Sequence, residues 1–264
     1  MSRLITLLLL CFTVSTVIAQ KNAQIKVEYT ERYKNWTGAN KKEKMILLAN
    51  GDISHYYNPM TLAVDSMLST PQGTVQFNSM VEAANAAGQR PSLLPGSRIY
   101  VVKNFGERKT TYYGEAAGEL GHYEENMDEQ NWETSDSTLN ILGYECILAE
   151  TDYHGRHWKV WFTPEIPIHD GPWKLCGLPG LILKADADEG KYRFEATGIE
   201  ASNRPFPEKM YGHELSNRVK RKDMLELQWT FYNNSGAQMN AEFGTSMQEV
   251  QLPKGFDLIE TDYK

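Results

Sequence analysis

The side chains best suited to chemistry are histidines with an acidic neighbour. His154 and His157 stand three positions apart beside Asp152, and on a helix that spacing could offer two metal ligands. These positions instead span a predicted turn and the strand after it, and the sequence contains neither an HExxH nor a CxxC motif. We therefore predict no metal site and no cofactor, because turn polarity explains these residues adequately.

A second pair, His169-Asp170, has the residue types of a general base and the group that orients it, which would act on a Ser or Cys nucleophile. The pair precedes Gly171-Pro172, which is ordinary turn chemistry. The sequence also lacks the GxSxG motif of the nucleophile elbow. We predict no catalytic residue, with an envelope hydrolase of unrecognised active site as the alternative function.

The cysteines divide into one near the N-terminus, Cys11, and two in the body of the chain, Cys146 and Cys176. In an oxidising compartment the latter two can pair, and such a bridge would stabilise the fold by roughly 3–4 kcal/mol. The alternative is a pair of free thiols packed as small hydrophobic side chains. The sequence leaves both alternatives open, because it does not fix the geometry that pairing demands.

The N-terminus is typical of a secretory signal peptide. Arg3 supplies the positive charge, residues 4–17 are largely apolar, and Val17 and Ala19 stand at the −3 and −1 positions of a cleavage site. The apolar stretch is shorter than the roughly 20 residues of a membrane span. We predict a signal peptide over residues 1–19 and an exported mature chain without a transmembrane segment.

The charge of the chain argues against one class of partner. The formal net charge is −7, with the acidic residues scattered and no basic stripe. A net anionic chain is repelled by phosphate backbones, so we predict no nucleic-acid partner.

The remaining sequence is organised as strand pairs. Residues 23–33 alternate polar and apolar side chains, and Asn50-Gly51 between two apolar runs predicts a hairpin with a type I′ turn. Residues 59–70 and 74–87 are predicted to be helical, with Gly88 as the C-terminal cap. Further hairpins are predicted for residues 98–114, 144–162 and 181–199, a surface segment for 119–137, a short helix for 214–223 and a strand for 225–231.

Hairpins that follow one another without intervening helices favour an antiparallel sheet. We predict an α+β fold: a mainly antiparallel, curved sheet with two or three helices packed on it, similar at the level of fold to the half-barrels of periplasmic lipoprotein carriers. Residues 20–264 are predicted to form a single domain, with a split near residue 90 as the alternative.

Residues 158–182 combine three tryptophans, four prolines and three glycines. Proline fixes φ and lacks a backbone donor, so this segment should leave the sheet after Phe162 as a stiff loop and rejoin a strand at Leu181. Rigid aromatic loops supply contact area at low ordering cost, which makes the segment a candidate binding surface. The candidate binding residues are Trp161, Phe162, Pro164, Pro167, Pro172, Trp173, Leu178 and Pro179.

The hexapeptide Gly177-Leu-Pro-Gly-Leu-Ile182, with Trp161-Phe-Thr-Pro-Glu-Ile-Pro167 and Gly171-Pro-Trp173 before it, resembles the motif that names the GLPGLI family. The resemblance is strongest over residues 130–200. Members of that family are exported proteins of Gram-negative bacteria with no established activity, so the resemblance implies an envelope location and no site residues.

These observations favour a periplasmic or other cell-envelope binding or accessory protein over an enzyme. Its partner would be an envelope protein or an apolar ligand, received by the 161–180 segment. The alternative for the same segment is a purely structural, core-covering loop. Ser66 and Ser137 stand in short sequences that resemble an O-glycosylation signal of some Gram-negative envelopes.

Overall fold

The computed structural model describes residues 22–89, 96–128, 130–207, 216–234 and 251–263. They form one sheet and three helices, which confirms the predicted α+β class. The strands are β1 (Ile25–Lys34), β2 (Asn40–Ala49), β3 (Ile53–Tyr57), β4 (Tyr100–Asn104), β5 (Lys109–Ala116), β6 (Glu119–Asn126), β7 (Glu133–Ile141), β8 (Tyr144–Tyr153), β9 (Arg156–Thr163), β10 (Leu181–Ala187), β11 (Tyr192–Ala201) and β12 (Asn217–Arg218). The helices are α1 (Pro59–Leu68), α2 (Pro71–Ala86) and α3 (Arg221–Asn233).

The sheet consists of two meanders joined side by side. Its strand order is β12-β6-β5-β4-β3-β2-β1-β11-β10-β9-β8-β7, so β1 to β6 and β7 to β11 each follow the chain. The join is the antiparallel pairing of β1 with β11, in which Ile25 faces Ala201. The short β12 is the one parallel addition among the described strands.

The two faces of the curved sheet differ in what covers them. The face that carries Val27, Tyr29 and Phe194, here called the inner face, holds the main core, and residues of the 161–180 segment pack against it. Helix α3 and the 256–263 tail close one end of the same face through Leu225, Leu258 and Tyr263.

Most predicted hairpins are confirmed, with changes in the turns. Asn50 is not in the left-handed region, and only Gly51 has a positive φ, of 86°. The Asn50 side chain instead accepts hydrogen bonds from the backbone N–H groups of Asp52 and Ile53, which makes a wider loop than the predicted type I′ turn. Two-residue turns with both φ angles positive lie instead at Ala117-Gly118, Leu142-Gly143 and His154-Gly155, between β5 and β6, β7 and β8, and β8 and β9.

The predicted surface segment over residues 119–137 is wrong. Residues 119–126 form β6, which pairs with β5 along its whole length, and β7 begins at Glu133. Both strands are poor in aliphatic residues because little of them is buried. In β6, Gly121 and Tyr123 are the buried positions, and β7 is an exposed edge strand.

The predicted strand over residues 225–231 is also wrong, because these residues lie in α3. Leu225, Trp229 and Tyr232 follow the helical spacing i, i+4, i+7 and pack together against Phe256 and Leu258, whereas Leu227 is exposed. The predicted helix over 214–223 is likewise replaced by β12 at residues 217–218 and by the start of α3, while 214 and 215 lie outside the described residues.

Among the described residues, no helix is both long enough and apolar enough to cross a membrane. The predicted signal peptide, residues 1–19, lies outside the described part of the chain.

Candidate functional site

The 161–180 segment leaves the sheet after Thr163 and rejoins it at Leu181, as predicted, but it folds inward against the inner face. The candidate binding residues are consequently divided. Phe162, Pro172, Trp173 and Leu178 are buried, Trp161 is half-buried, and Pro164, Pro167 and Pro179 are exposed. The buried side chains contact the core of the protein itself, so the segment presents only Pro164, Glu165, Pro167, His169, Gly177 and Pro179 as exposed residues.

Trp173 is the centre of this packing. Its side chain is 1% exposed and stacks on Trp158, with ring centroids 5.5 Å apart. Its φ of 53° is unusual for a bulky residue and is held by the surrounding packing. Gly180 shows how tightly the segment returns to the sheet, because a Cβ at that position would lie 2.1 Å from the carbonyl oxygen of Thr163.

Two buried lysines hold the segment in place, and the first is Lys103 of β4. Its ammonium pairs with the buried carboxylate of Asp170. It also donates hydrogen bonds to the carbonyl oxygens of Gly171 (2.8 Å) and Leu175 (3.2 Å). A charge buried in this way is tolerated only when it is paired and hydrogen-bonded, so Lys103 requires the segment to adopt this one path.

The second buried lysine, Lys174, belongs to the segment itself. Its Nζ lies 2.5 Å from Glu125 Oε1 and 2.7 Å from Glu260 Oε1, and it donates to the Tyr123 hydroxyl at 2.8 Å. Glu260 also pairs with Arg221 of α3, at 2.5 Å. Lys174 therefore ties the segment to β6, and through Glu260 to the tail and to α3.

Glu125, His154 and Glu260 could in principle hold a metal ion, since one ligand atom from each lies within 4.8 Å of the others. The Lys174 ammonium, however, already lies in contact with both carboxylates. Burial alone would raise the pKa of Glu125, but His154, 3.7 Å away, and the Lys174 charge lower it to about 2. The cluster is thus an ion-pair network with its own cations, which leaves little charge to attract a metal.

The histidine pairs considered in the sequence do not form sites. His154 is 8% exposed and enters the ion-pair network, whereas the exposed His157 lies between Asp152 (2.9 Å) and Glu150 (3.1 Å). Hydrogen bonding to Asp152 raises the pKa of His157. His169 is exposed, while its neighbour Asp170 faces Lys103, so these two do not act as a pair.

Cys146 and Cys176 are free and buried in this structure, which corresponds to the second alternative that the sequence left open. Burial raises the pKa of each thiol to about 11. Neither thiol is therefore activated as a nucleophile, because nucleophilic cysteines have a depressed pKa.

A cavity of about 810 Å³ lies on the inner face between the sheet, α3 and the tail. We call it the inner-face cavity. Its aromatic lining comes from Tyr33, Trp36, Tyr112, Tyr192, Phe231, Tyr232 and Phe256, and its polar lining includes Glu31, Glu43, Arg98, Glu115 and Gln228. An adjoining cavity of about 840 Å³ shares Tyr33, Tyr192 and Phe256. The lining of the inner-face cavity also includes Lys34, Asn35, Asn40, Lys41 and Lys42, so this cavity combines aromatic walls with many polar groups. Small-molecule sites in proteins typically have this volume.

Two carboxylates from neighbouring strands lie in this cavity, opposite each other in the β1–β2 register, and they differ in their partners. Glu43 accepts hydrogen bonds from the Tyr33 hydroxyl (2.9 Å), the Asn58 amide (3.0 Å) and the Ser97 backbone N–H (2.5 Å). Glu31 is 4% exposed and makes no hydrogen bond or ion pair with the described part of the chain. Burial and then the Glu43 charge raise the pKa of Glu31 to about 8.

The free energy of unfolding should depend on this group. The folded-state pKa of Glu31 lies above the unfolded value, so its contribution is present at low pH and is lost as pH rises from about 4.5 to about 8. We expect Glu31→Gln to remove that loss and to be more stable than the wild type at pH 9, by up to about 5 kcal/mol, because each pKa unit corresponds to about 1.4 kcal/mol. Urea unfolding at pH 5 and pH 9 measures this, and a variant no more stable than the wild type at pH 9 would contradict the expectation.

Sequence reasoning missed Glu31, although a signal for it exists. The apolar positions of the first strand are Ile25, Val27, Tyr29 and Tyr33, and Glu31 stands in the same alternating register. An acidic residue on the buried face of a strand is costly unless it has a purpose or a partner. The alternating pattern that predicted the strand thus also places Glu31, an acidic residue, on its buried face.

The chain is similar to one protein-family model, described as a protein of unknown function (Porph_ging), over residues 150–184. No curated protein matches the chain. Among solved structures, PNGF-II in its P21 and C2 space groups is similar at 15% identity and a TM-score of 0.48, covering 78% of this chain. MucB in complex with MucA(peri) is similar at 11% identity and a TM-score of 0.32, covering 70% of this chain and 52% of that one.

The chain spans about a third (33%) of the length of PNGF-II. At these identities and TM-scores, neither similarity indicates what this protein binds or catalyses.

Proposed function

We propose that this protein is an exported cell-envelope binding protein of the GLPGLI family, which receives a small amphipathic ligand in the inner-face cavity. The observation that carries the proposal is the cavity itself: about 810 Å³, walled by aromatic side chains, with one buried carboxylate that has no partner. Pockets that bind small ligands combine apolar walls with a few unsatisfied polar groups that orient the ligand.

The 161–180 segment has a different role in this proposal from that of a docking loop. Lys103 and Lys174 fasten it to the inner face, and Trp173 fills the space between the segment and β9. The segment thereby forms a wall of the core beside β9 and β10. The GLPGLI hexapeptide is the turn by which this wall re-enters the sheet, at the close approach of Gly180 to Thr163.

The envelope location rests on the N-terminal sequence and the family resemblance. The charged start, the short apolar run and the small residue at position 19 are those of a cleaved signal. The match to a family of unknown function over residues 150–184 covers the segment that carries the GLPGLI motif and supports the same family assignment.

The test is native mass spectrometry of the protein purified from its own envelope fraction, with the denatured mass of the same sample as the reference. We expect a native mass in excess of the denatured mass, by the mass of one small molecule. A matched sample of Tyr192→Trp, which narrows the cavity, should carry less of the added mass. Equal native and denatured masses in the wild type would contradict the proposal. The denatured mass also reports whether residues 1–19 have been removed.

A further inference from the structure

The negative charge of an ionised Glu31 has no compensating partner among the described residues. Its side chain is buried at the wall of the cavity, and an ionised carboxylate with little access to water is unfavourable by several kcal/mol unless a cation or hydrogen-bond donors compensate it. No described residue supplies either, since Glu31 takes part in no hydrogen bond or ion pair there. Protonation can neutralise the carboxylate, and so can a bound cation that does not belong to the chain.

The groups around Glu31 come from four other elements and its own strand. Tyr29 and Tyr33 flank it on β1, Glu43 and Phe194 lie opposite it on β2 and β11, and Tyr56, Tyr112 and Tyr192 approach from β3, β5 and β11. Burial raises the pKa of Tyr33, Tyr56, Tyr112 and Tyr192, and the Glu31 charge adds to the rise at each, as expected for rings near the carboxylate. None of these groups is a cation.

The cations in the neighbourhood already have anionic partners or lie at the rim. Arg98 pairs with Glu115 at 3.1 Å, and the buried Arg156 pairs with Asp188 and lies 3.5 Å from Asp257. Lys34, Lys41 and Lys42 line the cavity at its mouth, where Lys34 and Lys42 are exposed to solvent and hence screened. The cavity floor is therefore an anionic and aromatic environment without an internal counter-ion.

We infer that the inner-face cavity binds a primary organic amine, with its ammonium group on the Glu31 carboxylate and its apolar body against Tyr33, Tyr112 and Tyr192. This inference rests on the proposed function and names its ligand class. An ammonium supplies charge-assisted N–H···O bonds to the unpartnered oxygens, and tyrosine faces attract cations by their quadrupole. Tyr56, whose hydroxyl has no hydrogen-bond partner among the described residues, adds a further acceptor near the floor.

A consequence is that the amine and the proton compete for Glu31. With a pKa of about 8 in the empty cavity, the carboxyl is protonated at neutral pH and must release that proton when the ammonium binds. The amine remains charged throughout, because alkylamines titrate near the lysine value of ~10. The apparent Kd should thus rise by roughly 50-fold between pH 8 and pH 6.

The experiment is isothermal titration calorimetry of the full mature protein with two probes, 4-phenylbutylamine and its neutral counterpart 4-phenylbutan-1-ol. At pH 8 we expect the amine to bind at least tenfold more tightly than the alcohol, to lose that advantage in Glu31→Gln, and to weaken towards pH 6. Glu115→Gln is the matched control, because Glu115 lines the same cavity but is paired with Arg98. Circular dichroism checks that both variants are folded.

The outcomes separate the inference from the proposal beneath it. Equal binding of amine and alcohol, unchanged by Glu31→Gln, would overturn the amine inference and leave the cavity as a binding site. Binding of the amine that Glu115→Gln weakens as much as Glu31→Gln would place the cation elsewhere and overturn it too. If neither probe binds, the amine inference is overturned. The proposed function is then tested separately, by comparing the native and denatured masses.

Discussion

Replacement of Lys174 by methionine is expected to lower the free energy of unfolding by about 3 to 5 kcal/mol, because it breaks a buried ion pair by removing one partner. Methionine has a similar length and fills the same space, so the loss is electrostatic. It leaves the partly buried Glu125 and the fully buried Glu260 close to each other, with Arg221 as the main remaining cation. The Tyr123 hydroxyl loses its donor as well.

The control for Lys174→Met is Lys159→Met. Lys159 pairs with Glu150 at a similar distance, 3.1 Å, but its side chain is 55% exposed. Exposed pairs contribute little, and we expect a change of at most ~1 kcal/mol. Urea unfolding at pH 7 measures both variants. Similar losses for the two would mean that the Lys174 network does not hold the segment. If Lys174→Met does not fold, Lys174→Arg, which keeps the charge, should restore a measurable transition.

The second large effect is expected at Trp173. Its replacement by alanine removes a fully buried ring and its stacking on Trp158, for a loss of about 3 to 5 kcal/mol. Pro179 belongs to the same segment and the same GLPGLI motif, but its side chain is exposed. Pro179→Ala should therefore change the free energy of unfolding by less than ~1 kcal/mol.

This pair of variants distinguishes the two roles that the sequence left open for residues 161–180. Thermal and urea unfolding give the stability of each, and the amine titration gives their binding. A Trp173→Ala protein as stable as the wild type would contradict the structural role. Loss of ligand binding in a stable Pro179→Ala protein would indicate that the exposed prolines of the segment take part in ligand binding.

The sequence predicted the local architecture well because that information is local. Strand alternation, the Gly and Asn turn signals and the exit of the chain after Phe162 all depend on residues within about ten positions of one another. The errors have the same origin. Leu225, Leu227, Trp229 and Phe231 alternate over four positions, but the helical spacing of Leu225, Trp229 and Tyr232 wins because the tail supplies partners for it.

The ion-pair network could not be predicted from the sequence, because its members are far apart in the chain. Glu125 lies on β6, Lys174 in the segment and Glu260 in a tail without pattern, so their meeting depends on the whole fold. Lysines and glutamates are mostly exposed, and nothing in the composition around Lys103 or Lys174 marks them as buried. Glu31 is the exception, since its strand register alone sets it apart.

The junction between the two meanders has a consequence for how the protein folds. Each meander is assembled from neighbours in the chain, whereas β1 must find β11, with Ile25 opposite Ala201. Closure of so long a loop is entropically costly and raises contact order, which slows folding. During synthesis, β1 is therefore expected to remain an unpaired edge of the first meander until β11 has been made. An unpaired edge strand can pair with other chains. A protein built in this way gains from a chaperone that covers β1 during that interval.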